Sequence, residues 1–135
     1  KEAIRLNPKS ADAHNNLGLA LYNKGQLDEA IKEYKDAIRI NPEHTSVYYN
    51  LGLLFYNKGQ LDDAIEAYKG AIRINPEYAG AYYNLGHVLK AKGRFDEAIN
   101  AFENFIRFAP HGYAKNVEAV RELIKQLKEK RQNNA

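Results

Sequence analysis

Residues Thr45 to Tyr78 read TSVYYNLGLLFYNKGQLDDAIEAYKGAIRINPEY, and the stretches on either side repeat this pattern at a spacing of 34 residues. All four prolines, Pro8, Pro42, Pro76 and Pro110, fall on that spacing; so do Gly18, Gly52 and Gly86, then Gly25, Gly59 and Gly93, then Ala30, Ala64 and Ala98. The chain is a tandem repeat. Within the quoted unit Tyr48, Leu51, Gly52 and Phe55 stand at i, i+3, i+4 and i+7, the period of one face of a helix. Gly59 then supplies the left-handed conformation that ends it. Leu61, Ala64, Ile65, Tyr68, Ala71 and Ile72 form a second stripe at the same period, and Pro76 follows as a stop. The unit predicts a helical hairpin, helix A then helix B. Gly52 and Ala64 carry almost no side chain, so the two helices are expected to approach most closely where these residues meet.

The unit resembles the tetratricopeptide repeat, whose pattern is W-x-x-L-G-x-x-Y, then A-x-x-x-F, then P, over about 34 residues. Tyr48, Leu51, Gly52, Phe55, Ala64, Tyr68 and Pro76 match in order, with Tyr48 in place of the tryptophan. His14, Leu17, Gly18, Leu21, Ala30, Tyr34 and Pro42 hold the same slots before it, and Tyr82, Leu85, Gly86, Leu89, Ala98, Phe102 and Pro110 after it. The resemblance implies an all-α fold: an α-solenoid of helix-turn-helix repeats wound into a right-handed superhelix. Its divisions are the end of a truncated repeat (1–10), three repeats (11–44, 45–78 and 79–112) and a C-terminal capping helix (113–135).

Bulk properties agree with a binding module and exclude other classes. Lys and Arg number 20 against 17 Asp and Glu, and they are interspersed, so no basic surface for nucleic acid is expected. No apolar run approaches the roughly 18 residues that cross a bilayer, and no membrane partner is expected. With no cysteine there is no disulfide framework or thiolate metal site. The four histidines, His14, His44, His87 and His111, occupy four different repeat slots, so no metal site or cofactor is expected. The acidic pairs Asp28-Glu29, Asp62-Asp63 and Asp96-Glu97 open each helix B, where the positive end of the helix dipole favours them. No nucleophile or phosphate-loop motif appears, and the chain is read as a non-enzyme.

Lys1 to Pro8, KEAIRLNP, reads as the last turns of a helix B whose own helix A is missing, as in a fragment of a longer, cytoplasmic protein. Such a half-repeat leaves apolar surface uncovered, and self-association through that end is expected. In the third repeat Phe105 takes the slot of Ala37 and Ala71, and Phe108 and Ala109 replace Ile74 and Asn75, which is expected to hold a different following segment. That segment has Tyr113, Val117, Val120, Ile124 and Leu127 as a narrow apolar stripe set in charge, the pattern of a solubilising cap.

Helix A has a second face, opposite the core stripe, that ought to be polar. It is not. The partner-binding candidates on it are Asn15, Asn16, Leu19 and Tyr22 in the first repeat, Tyr49, Asn50, Leu53 and Tyr56 in the second, and Tyr83, Asn84, His87 and Lys90 in the third. The resemblance implies that stacked A helices line a concave groove taking a peptide segment or partner protein. Asn16, Asn50 and Asn84, spaced at 34, are similar to the asparagine ladder in the repeats of O-linked N-acetylglucosamine transferase, and the next slot, Glu118, ends it. The carboxylate clamp of chaperone-binding members is matched only at Asn50 among the slots Asn15, Leu19, Asn50, Gly80 and Asn84. The chain is therefore read as a protein interaction scaffold. Two other readings are a substrate-recognition region of a larger, glycosyltransferase-like enzyme and a self-assembling scaffold.

Overall fold

A computed structural model describes residues 8–133, and among them the chain is helical without a strand. Helices α1 (Pro8–Asn23) and α2 (Leu27–Ile40), α3 (Thr45–Asn57) and α4 (Leu61–Ile74), and α5 (Ala79–Ala91) and α6 (Phe95–Phe108) form three hairpins; a 3-10 turn (His111–Tyr113) leads into α7 (Ala114–Asn133). The helix-B remnant expected over 1–7 lies outside the described residues. Pro8 is the first residue of α1, which therefore begins three residues before the expected start of the first repeat at Ala11. The first position of a helix tolerates proline, because its missing N–H has no partner there anyway. Two compact units are distinguished, residues 1–75 and 76–135.

Each hairpin turns on a glycine with positive φ: 82° at Gly25, 79° at Gly59 and 77° at Gly93. In the second hairpin the Gln60 N–H donates to the Phe55 carbonyl at 2.9 Å and the Gly59 N–H to that of Tyr56 at 3.0 Å, closing a Schellman-type end. The helices then run back antiparallel, so that Tyr48 near the start of α3 meets Gly70 near the end of α4.

At Gly52 the close approach of the two helices brings in the Tyr68 ring of α4. A Cβ placed on Gly52 would lie 2.7 Å from Cε1 of the Tyr68 ring. Gly18 meets Tyr34 at the same 2.7 Å, and Gly86 meets Phe102 at 2.5 Å. The glycine of helix A is thus the seat of the helix B ring, and all three rings are essentially fully buried. Burial, with the nearby Tyr22 adding a smaller effect, pushes the Tyr34 phenol up to about 12.

In the first unit Ala30, Tyr34 and Ala37 of α2 form one core with Val47, Leu51 and Leu54 of α3. Val47 and Leu54 lie outside the stripe read from the sequence, yet both are fully buried. They belong to the face that packs on the preceding hairpin. The corresponding residues of α1, Ala13, Leu17 and Ala20, are exposed, Leu17 at 48% against 6% for Leu51. Among the described residues no helix precedes α1 to cover them.

The second unit ends differently from a repeat. Phe105 is buried and lies 5.1 Å from the Tyr83 ring, while Phe108 stacks on Tyr82 at 5.8 Å, so both rings consolidate their own hairpin. The buried face of α7 is Val120, Ile124 and Leu127. Leu85 and Val88 would map at a spacing of 34 to Ala119 and Glu122, both exposed; the face of α7 comes one residue late. The 3-10 turn between Pro110 and α7 takes up that extra residue. Tyr113, assigned to the apolar stripe by its spacing, sits in this turn, 48% exposed. The slot continuing the asparagine series is accordingly Ala119, not Glu118, and neither has an amide. The end of α7 reaches back to the start of α6: Arg131 pairs with Asp96 at 2.8 Å and Lys130 lies 5.9 Å from the Phe95 ring.

The seat of the ring is tight enough to test. Gly52→Ala gains roughly 1 kcal/mol of helix propensity, but its methyl meets a ring buried on all sides, and overpacking of that kind costs about 1–3 kcal/mol. We expect net destabilisation, read as a lower midpoint in urea with an unchanged slope; a midpoint at or above that of the parent chain would contradict the packing described.

Candidate functional site

The second face of the A helices is half apolar, and in the first unit it is built from α1 and α3. Leu19 and Tyr56 are the most open of its large side chains, at 42% and 38%. Asn16 is exposed, and Asn15, Tyr22, Tyr49, Asn50 and Leu53 are half-buried. Two hydrogen bonds tie the helices across this face. Asn50 Nδ2 donates to Asn15 Oδ1 at 3.0 Å, and Asn57 Nδ2 donates to the Tyr22 hydroxyl. Asn57 is not one of the binding candidates read from the sequence. It stands four residues after Leu53 and seven after Asn50, which places it on the same face.

Tyr49 differs from the expectation of a solvent-facing ring. It packs edge-on against Tyr68 at 5.9 Å, within its own hairpin. In the second unit Tyr83 does the same, with centroids 6.5 Å from Phe102 and 5.1 Å from Phe105. His87 joins this cluster, 4.7 Å from Tyr83 and 5.1 Å from Phe102. Asn84 and Lys90 are half-buried on the same helix. The fifth residue of α3 and of α5, read only as groove, is thus also core: a ring there is long enough to lie over the helix B aromatic and still show an edge to solvent.

Burial holds the His87 imidazole below its ordinary value, and the nearby Lys90 cation pushes it the same way. The first two hairpins carry Leu19 and Leu53 in this slot. Elsewhere in the second unit, a groove of about 580 Å³ lies between α6 and α7, lined by Ile106, Ile124, Arg121, Lys125 and Lys128 among others. None of the partner-binding candidates read from the sequence lines it. Among the described residues no helix is long and apolar enough to cross a membrane.

Family models described as TPR repeat match residues 18–59 and 52–93, and models described as tetratricopeptide repeat match residues 1–32 and 79–111. No curated protein matches. Among solved structures, the chain is similar to the type III secretion translocator chaperone SycD of Yersinia enterocolitica, with 16% identity and a TM-score of 0.84 over 93% of this chain and 88% of that one. SycD in complex with a peptide of the translocator YopD gives 17% and 0.83 over 91% and 95%. The first TPR of Spaghetti (RPAP3), bound to the HSP90 peptide SRMEEVD, gives 18% and 0.78 over 90% and 98%.

A depressed His87 makes stability depend on pH. The folded chain holds the ring neutral below the point where the unfolded chain protonates it, near 6.5. This contribution is complete above that pH and is lost as pH falls towards the folded value. His87→Leu, which restores the residue of the other two hairpins, is expected to lose less melting temperature between pH 7.5 and 5 than the parent chain. Equal losses in the two proteins would remove His87 from the account.

Proposed function

Because the chain belongs to the tetratricopeptide repeat family, we propose that it is a protein interaction module, not an enzyme, that takes a peptide segment on the second face of its A helices. The observation that carries this reading is the exposure of Leu19 and Tyr56 on one face of the first unit, beside amide groups held in place across α1 and α3. Two of the similar structures hold peptides, one of YopD and one of HSP90, which supports the class of ligand. A carboxylate clamp is not part of the proposal, since Leu19 and Gly80 stand where it needs charge or amide.

The binding residues proposed are Asn15, Asn16, Leu19, Tyr22, Tyr49, Asn50, Leu53 and Tyr56, with Tyr83, Asn84, His87 and Lys90 in the same slots of α5. Asn16, Asn50 and Asn84 are proposed as an asparagine ladder addressing peptide backbone. Asn50 directs one Nδ2 hydrogen to Asn15, and the remaining hydrogen and its Oδ1 suit an extended backbone. Amide contacts at about 1 kcal/mol each and partial burial of Leu and Tyr at about 1.5 kcal/mol apiece, set against the cost of association, correspond to an affinity of roughly micromolar, about −8 kcal/mol.

Leu19 and Tyr56 are the informative sites, because Tyr49 and Tyr83 also hold their hairpins together. A displayed peptide library should yield binders of about micromolar Kd, and a Leu19→Ala, Tyr56→Ala variant should bind the same peptides at least tenfold more weakly while melting within a few degrees of the parent. Undiminished binding by that variant would sink the groove reading.

A second reading, self-association, is favoured by the open face of α1 at Ala13, Leu17 and Ala20. In this reading light scattering shows mass rising with concentration, and Leu17→Glu, which charges that face, abolishes the rise. A chain that stays monomeric at high concentration excludes it.

A further inference from the structure

One packing contact is made of different chemistry in the first hairpin than in the other two. In the second hairpin the Tyr48 ring covers Gly70, with Ala67 one turn away, and in the third the same slots hold Tyr82, Asn104 and Ala101. In the first they hold His14, Asp36 and Glu33. The fold does not require these three residues, since two copies of the same hairpin form without them. Their donor atoms lie within 4.8 Å of one another, and all three side chains are partly buried.

We propose that His14, Glu33 and Asp36 bind a divalent transition-metal ion of the Zn2+ type across α1 and α2. One imidazole nitrogen with two carboxylate oxygens suits a borderline ion, whereas Ca2+ needs six to eight oxygens and Mg2+ a near-ideal octahedron. His14 Nδ1 stands 2.7 Å from Glu33 Oε1, and the two need to part only slightly to admit an ion between them. Asp36 Oδ1 accepts from Arg39 at 2.9 Å, which orients that carboxylate. Glu33 and Asp36 are one turn apart on α2, so both reach the same side. Three protein ligands leave a coordination place for water. The ion would clamp α1 to α2 in the way that Tyr48 clamps α3 to α4.

The test is calorimetric titration of Zn2+ into the chelator-stripped chain at neutral pH, with a parallel melt. The expected result is one equivalent bound at a Kd of about micromolar and a melting temperature that rises by several degrees with excess ion. The variant His14→Tyr, Glu33→Ala, Asp36→Gly copies the second hairpin and so retains a packed core; it is expected to lose the site, with affinity at least tenfold weaker and no rise on melting. His44→Ala and His111→Ala serve as controls, since His44 is paired with Asp12 at 2.6 Å and His111 lies in the exposed turn; both are expected to titrate like the parent. Absence of a one-equivalent step in the parent, or a parent-like step in the triple variant, overturns the proposal, as does loss of the step in His44→Ala or His111→Ala alone.

Discussion

Each hairpin depends on an aromatic ring of helix B seated on a glycine of helix A. Tyr34 on Gly18, Tyr68 on Gly52 and Phe102 on Gly86 bring backbone and ring within a distance that no side chain could share. The ring contributes a large apolar area, and the glycine, costly in a helix by itself, removes the only atom in the way. Everything else is arranged around that seat: the positive-φ turn that reverses the chain, the alanines that let the helices lie close, and, in the second and third hairpins, the second ring from helix A that closes the side.

That second ring explains why one face of helix A is neither core nor surface. Tyr49 and Tyr83 cover the helix B ring from outside and so serve packing in the second and third hairpins, whereas the first has Asn15 in that slot. Leu19 and Tyr56 have no such role at their exposure, and they are the residues on which a binding reading rests. The polar groups between them are not loose. Asn50 and Asn57 of α3 reach to Asn15 and Tyr22 of α1, so the polar side chains of this face are held in place.

The ends of the described chain obey a different rule from its middle. A hairpin buries only one side of its A helix by itself, and the other side needs a neighbour. Among the described residues Leu51 has one and Leu17 does not, and the same residue type in the same slot goes from nearly buried to half exposed. At the other end α7 follows α6 with a one-residue offset, presenting Val120, Ile124 and Leu127 inward and a charged surface outward. It is a cap in chemistry and not a fourth helix A in register.

Period and small residues were enough to determine the hairpins, their turns and the family, because each is a local demand: a stripe at 3.6 residues, a glycine where φ is positive, a proline where a helix stops. What lay outside local pattern was decided by tertiary packing. Val47 and Leu54 become core only because the preceding hairpin lies against them, Gly52 is the seat of Tyr68 because the antiparallel return sets that ring over it, and the register of α7 follows from how the chain leaves Pro110. The candidate groove was legible as residues too apolar for their face, but which of them serve packing and which remain open depends on the reach of side chains from another helix. His14, Glu33 and Asp36 show the same limit most plainly: nothing in their spacing joins a residue of α1 to two of α2, and only the antiparallel return of the hairpin brings their donor atoms together.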